Sequence, residues 1–82
     1  MSKTETIKRI VCDTIAASDG ADWATIKDAI SARYTIKDWV KEVRNPIQSL
    51  IAMDVIERTD NVFKEVFVFT ATSKSIMASM AA

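Results

Sequence analysis

Apolar residues recur at helical spacing near the start of the chain, where Ile7, Ile10, Val11 and Ile15 form one stripe and Lys8, Arg9 and Asp13 fall outside it. The pattern predicts a helix capped by Thr4 and running to about Ser18, with Gly20 supplying the stop. Cys12 lies at the edge of the stripe and reads as a small packing residue. Thr25-Ile26-Lys27-Asp28 then has the form of a capping box, with Asp where Glu or Gln is usual. A second helix is expected from Ile26, burying Ile26, Ala29, Ile30 and Tyr34. Asp22 to Ala24 are left as a short extended segment with Trp23 turned inward.

Thr35-Ile36-Lys37-Asp38 repeats the cap pattern and opens another helical segment through Trp39, Val40 and Val43. The apolar positions Ile36, Val40, Val43, Ile47 and Leu50 keep helical spacing straight through Pro46, which allows one long helix kinked at the proline. Against this, a proline costs about 3 kcal/mol inside a helix and little at its first position. Asn45-Pro46-Ile47-Gln48 also has the form of an N-cap, a proline at N1 and a reciprocal Gln. A break near Asn45 is therefore the favoured reading, with Asn45 spending its side chain on the cap.

Asp54 stands where a helix usually ends in glycine, and Val55-Ile56-Glu57-Arg58 reads as a strand. Thr59-Asp60-Asn61 is turn material, and Phe63 to Thr70 should form a second strand, apolar on both faces over Val66-Phe67-Val68-Phe69. Thr72 to Met80 can make a short helix with Ile76, Met77 and Met80 to one side, either closing the core or forming a dimer contact.

Eighty-two residues read as one domain, which at this size buries only roughly 60% of the surface its unfolded chain exposes. The absence of histidine, with one cysteine and one glycine, leaves no material for a Cys/His zinc site, a Ser-His or Cys-His pair, or a glycine-rich phosphate loop. Neither an enzyme nor a metal or other cofactor is expected. No apolar run is long enough to span a bilayer, Met1 to Glu5 do not resemble a secretory signal, and Cys12 has no internal disulfide partner, so a cytoplasmic protein is expected.

Net charge is zero, which counts against a general polyanion binder, yet the charges are segregated. Asp13, Asp19, Asp22 and Asp28 stand against Lys27, whereas Arg33, Lys37, Lys41 and Arg44 stand against Asp38 and Glu42. The third helix carries the most specific chemistry. Its polar side offers a guanidinium, Arg44, that can pair bidentately with guanine, and carboxamides, Asn45 and Gln48, that can pair with adenine. Ser49 and Ala52 are small enough to allow close approach to a groove.

Helix, short strand, helix, helix, strand, turn, strand is the element order of the winged helix-turn-helix domain. Trp23-Ala24-Thr25-Ile26 with Asp28-Ala29-Ile30, Val43-Arg44 with Ile47 and Leu50, and Val55-Ile56-Glu57-Arg58 resemble that family over roughly residues 5 to 72. The resemblance implies an α+β, mainly helical fold whose third helix lies in the major groove while a β-hairpin wing touches the backbone. By position, Arg44, Asn45, Gln48 and Ser49 would contact bases, and Lys37, Lys41, Arg58 and Lys64 would contact phosphates. The implied function is sequence-specific binding of double-stranded DNA as a small dimeric transcriptional regulator, the homodimer forming through the Val66 to Phe69 strand or the C-terminal tail. The alternative is a winged helix that docks on another protein, to which the neutral charge and the acidic residue Asp60 at the wing tip both point.

Overall fold

The computed structural model describes residues 2–60 and 64–81. Its elements follow the order α1 (Lys3–Ser18), β1 (Ala21–Asp22), α2 (Trp23–Ser31), a π-helical turn (Val40–Arg44), α3 (Asn45–Ala52), β2 (Ile56–Asp60), β3 (Glu65–Phe69) and α4 (Ala71–Ala81). The fold is α+β and mainly helical, with one small antiparallel sheet in the order β1-β3-β2. One buried cluster joins the predicted stripe of α1 to Ile26 and Ile30 of α2, Val43, Ile47 and Leu50 beyond them, and Ile56 and Phe67 of the sheet.

Serine and aspartate start the first three helical segments in place of the threonines expected there, while Thr70 caps α4 by accepting the Ser73 N–H at 3.1 Å. Ser2, not Thr4, caps α1 by accepting the Glu5 N–H at 3.2 Å. Asp22, not Thr25, caps α2 by accepting the Thr25 N–H at 2.8 Å, so this helix begins at Trp23 and the extended segment shrinks to Ala21–Asp22. A carboxylate accepts this bond more strongly than a hydroxyl, and β1 pairing with β3 ends at the same residue. Thr35 to Lys37 are not helical either, because Asp38 is the residue that accepts the Lys41 N–H, at 3.2 Å. Glu42 reaches back to accept the N–H groups of Lys37 and Asp38 at 3.1 and 3.0 Å, completing a reciprocal cap.

No break occurs at Asn45. Its φ of −63° and ψ of −46° are helical, and its N–H is bonded five residues back to the Val40 carbonyl, which makes the preceding turn a π-turn. This corrects the expected cap at Asn45. The wider turn carries the chain through Pro46 with helical geometry on both sides, and it frees the Asn45 carboxamide from capping.

At the far end of α3, Asp54 adopts φ +61°, the left-handed position read from the sequence, while the Val55 N–H bonds the Leu50 carbonyl at 3.0 Å. Asp19 does the same for α1 at φ +52°, ahead of Gly20 at φ +131°. Gly20 is needed for its backbone and also for space, since a Cβ there would lie 3.2 Å from Val68 Cγ1. β2 runs to Asp60, so Thr59 and Asp60 belong to the strand and not to a turn, and β3 spans Glu65–Phe69 within the longer stretch expected. Asn61 and Phe63 lie outside the described residues. Central position in the sheet and burial of Phe67, 2% exposed, place the middle of the Val66 to Phe69 strand inside the protein and not on a free edge.

Candidate nucleic-acid interface

Two groups of polar residues flank the buried side of the helix that runs from Val40 to Ala52. On its front, Lys41, Asn45, Gln48 and Ala52 are exposed, while Val43, Ile47 and Leu50 are buried behind them. The front follows directly from helical periodicity once the proline is accommodated. Ser49 is half-buried at its margin, where it lines a cleft of about 250 Å³ together with Thr4, Lys8, Lys41, Asn45 and Pro46.

Arg44 belongs to the other flank. Its guanidinium makes a bidentate pair with Glu65 at 2.9 and 3.3 Å and lies over the Trp23 ring, 4.3 Å from the centroid. Trp23 in turn meets Trp39 edge-on with 6.0 Å between centroids, and the Lys27 ammonium sits 5.4 Å from the Trp39 ring. Glu65 also accepts from Arg58 at 3.1 Å, and Arg58 reaches Asp60 at 3.3 Å. The hydrogen bond from Arg44 holds the Glu65 carboxyl below its ordinary range, burial opposes it, and the charges of Arg44 and Arg58 add to the lowering. Glu65 in turn pushes the Arg44 guanidinium up. Arg44, Arg58, Glu65 and Asp60 thus each have a charged partner within the chain.

The remaining expected phosphate contacts divide in the same way. Lys64 pairs with Asp22 at 3.4 Å, and Asp22 is lowered by hydrogen bonds from Thr25 first and by Lys64 after. Lys37 and Lys41 are exposed and make no ion pair with a described carboxylate. Glu42, beside them in sequence, is already taken by Lys3 at 2.7 Å. That hydrogen bond is the main reason its carboxyl is pulled down to about 2, the N–H groups of Asp38 and Lys37 assisting against the cost of burial. The Lys3 ammonium also lies over the Tyr34 ring at 5.4 Å, so this pair ties the start of α1 to the loop before the π-turn.

Sequence reasoning missed two partners. Glu65 lies in a strand read for its apolar residues, and nothing local announces a carboxylate that meets an arginine twenty-one positions earlier. By sequence Lys8 lies merely outside the helical stripe; its proximity to Lys41 in one cleft is tertiary information. Cys12 is half-buried beside the core and its thiol is raised by burial and then by Asp13, as suits a packing residue. Among the described residues no cluster of three or more His, Cys, Asp or Glu could hold a metal ion, and no helix is long and apolar enough to cross a membrane. No protein-family model, curated protein or solved structure matches the chain.

Proposed function

We propose that this chain is a winged helix-turn-helix domain that binds double-stranded DNA sequence-specifically, as a small transcriptional regulator, with the front of α3 in the major groove. The observation that carries this reading is the exposed row Lys41, Asn45, Gln48 and Ala52 on a helix whose opposite side is buried. Carboxamides at two successive turns offer donor and acceptor pairs matched to adenine edges, Lys41 offers a phosphate contact, and Ala52 lets the helix approach closely. The element order and the sheet order β1-β3-β2 fit that domain. Arg44, Arg58 and Lys64 enter this reading as supports of the framework, since carboxylates of the same chain already hold them.

A homodimer belongs to the same reading, with α4 as its contact. Ile76, Met77 and Met80 are 55%, 41% and 81% exposed on a helix whose one charged residue is Lys74. A neutral chain has no net self-repulsion to overcome on pairing. Selection from a random duplex pool, combined with a measured mass in solution, tests both parts. Enrichment of one motif by a particle of twice the chain mass is the expected result; absence of any mobility shift at low salt would overturn the DNA reading. The alternative, docking on another protein, draws on the same uncovered α4 surface. A chain that captures a protein partner equally well after nuclease treatment and shifts no duplex would decide for it.

A further inference from the structure

Between the first two turns of α1 and the front of α3 lies a cleft of about 250 Å³ that shares Lys41 and Asn45 with the exposed row and adds groups from α1 to them. Thr4 and Lys8 line it from α1, and Lys41, Asn45, Pro46 and Ser49 line it from the other side. Among the described residues the lining contains two ammonium groups, two hydroxyls and a carboxamide, and no carboxylate. At roughly 30 Å³ per water in the liquid, this is space for a solvated tetrahedral anion and not for a single trapped water.

The cations are available to an incoming anion. Lys41 is exposed and has no ion pair with a described carboxylate. Lys8 keeps its stem packed, with 22% of the side chain exposed, and its nearest carboxylate, Glu5, is 3.9 Å away, at the outer limit of pairing. Glu5 is itself 61% exposed, so it is free to swing aside. The positive end of the α1 dipole adds to the local potential. Asn45 belongs both to this cleft and to the exposed row, so an anion seated here would sit at the edge of whatever α3 faces.

We propose that this cleft seats one backbone phosphate of the DNA, with Lys8 and Lys41 as its cations and Thr4, Asn45 and Ser49 as hydrogen-bond donors. The inference rests on the DNA-binding reading and deepens it. A phosphate fixed by groups from two helices sets the depth and register at which Gln48 meets base edges.

The test is the salt dependence of binding to duplex DNA, measured for the full chain by fluorescence anisotropy. Replacing Lys8 with Gln keeps most of the packed stem and removes the charge. The magnitude of the slope of log Kobs against log salt should then fall by about 0.9, the value of one phosphate contact, on specific and random duplexes alike. Lys8→Arg should restore the slope. Lys41→Gln, at an exposed position, should lower the slope through the same phosphate, so that the Lys8→Gln/Lys41→Gln double variant loses about 0.9 in all and not twice that. An unchanged slope for a folded Lys8→Gln protein that still binds DNA overturns the phosphate seat and leaves the DNA-binding reading standing. A wild-type chain with no DNA affinity at low salt overturns both. Wild-type binding abolished by millimolar inorganic phosphate at constant ionic strength, with an unaltered Lys8→Gln slope, assigns the cleft to a free anion and also overturns the proposal.

Discussion

Arg44 and Lys41 lie one turn apart on the same helix, and their surroundings differ completely. Arg44 faces the sheet, where Glu65, shared with Arg58, supplies compensating charge and the Trp23 ring an aromatic face. Lys41 faces solvent beside Asn45 and pairs with no carboxylate among the described residues. The contrast separates charge that builds a fold from charge that a fold leaves over. With zero net charge the protein cannot attract a polyanion by its overall field, so any such affinity must come from the few cations left uncompensated. On the sheet side the ion pairs fix how β3 and the β1-α2 junction meet the helix. On the front the absence of such pairs leaves hydrogen-bonding capacity to be used by a ligand.

The largest expected effect tests whether the sheet side is framework. Phe67 is the central residue of β3, 2% exposed and paired with Ala21 on one side and Arg58 on the other. Phe67→Ala should destabilise the fold by about 3–5 kcal/mol. That is a large part of the total for a domain this small, and chemical denaturation followed by circular dichroism would measure it. A loss below about 1 kcal/mol would mean that β3 is a surface strand open to partners, and the two-sided picture would fail.

Gln48→Ala probes the front and should behave in the opposite way. Stability should change by less than about 0.5 kcal/mol, since the side chain is exposed. Discrimination between the selected duplex and one altered at a single base pair should fall by about 1–3 kcal/mol. Equal weakening on both duplexes would assign Gln48 to the backbone and not to bases.

Much of the helical framework is visible in the sequence because it depends on local periodicity. The stripe Ile7, Ile10, Val11 and Ile15, the inward positions Ile26 and Ile30, and the left-handed Asp54 all stand as read. Capping is local too, yet Thr4, Thr25 and Thr35 were favoured where Ser2, Asp22 and Asp38 do the work. Several competent caps lie within three residues of one another, and at Asp22 the pairing of β1 with β3 ends at the residue that caps. The π-turn before Pro46 is not legible, because Val43, Ile47 and Leu50 keep ordinary helical spacing and nothing in it marks the extra residue that the Asn45 to Val40 bond encloses. The candidate site was legible in residue type but not in availability. Arg44 looks identical to a free arginine until Glu65 is brought beside it from another element.

Glu65→Gln sharpens the comparison from the sheet side. It removes the anion shared by Arg44 and Arg58, whose side chains are 35% and 45% exposed, so solvent screening limits the cost to about 1 kcal/mol. Acid adds a sign to this prediction. Because the folded carboxyl titrates below its ordinary value of 4.5, its contribution is fully present above that pH and is lost as the pH falls through the lower folded value. The stability gap between wild type and Glu65→Gln should therefore be constant near neutrality and close progressively below about pH 4.5. A gap that widened in acid would show that the carboxyl is raised and not lowered. The released Arg44 should also strengthen DNA binding without sequence preference, as a steeper salt slope would reveal.

The smallest effect belongs to Arg58, and it discriminates most finely. Both of its ion pairs are on the surface, to Asp60 at 3.3 Å and to Glu65 at 3.1 Å, and Glu65 retains Arg44 when Arg58 is gone. Arg58→Ala should therefore change stability by no more than about 0.5 kcal/mol. The wing expected from the sequence would use Arg58 on a phosphate, in which case the same substitution would lower the magnitude of the salt slope by about 0.9. Two carboxylates around one guanidinium make that use unfavourable, since a phosphate arriving there meets negative charge that Arg58 already serves. The expected outcome is a slope indistinguishable from wild type for Arg58→Ala, set against the clear drop for Lys41→Gln measured on the same duplex. Equal drops for the two variants would mean that Asp60 and Glu65 release Arg58 when DNA arrives, and the line drawn between the sheet side and the front would have to be moved to include the end of β2.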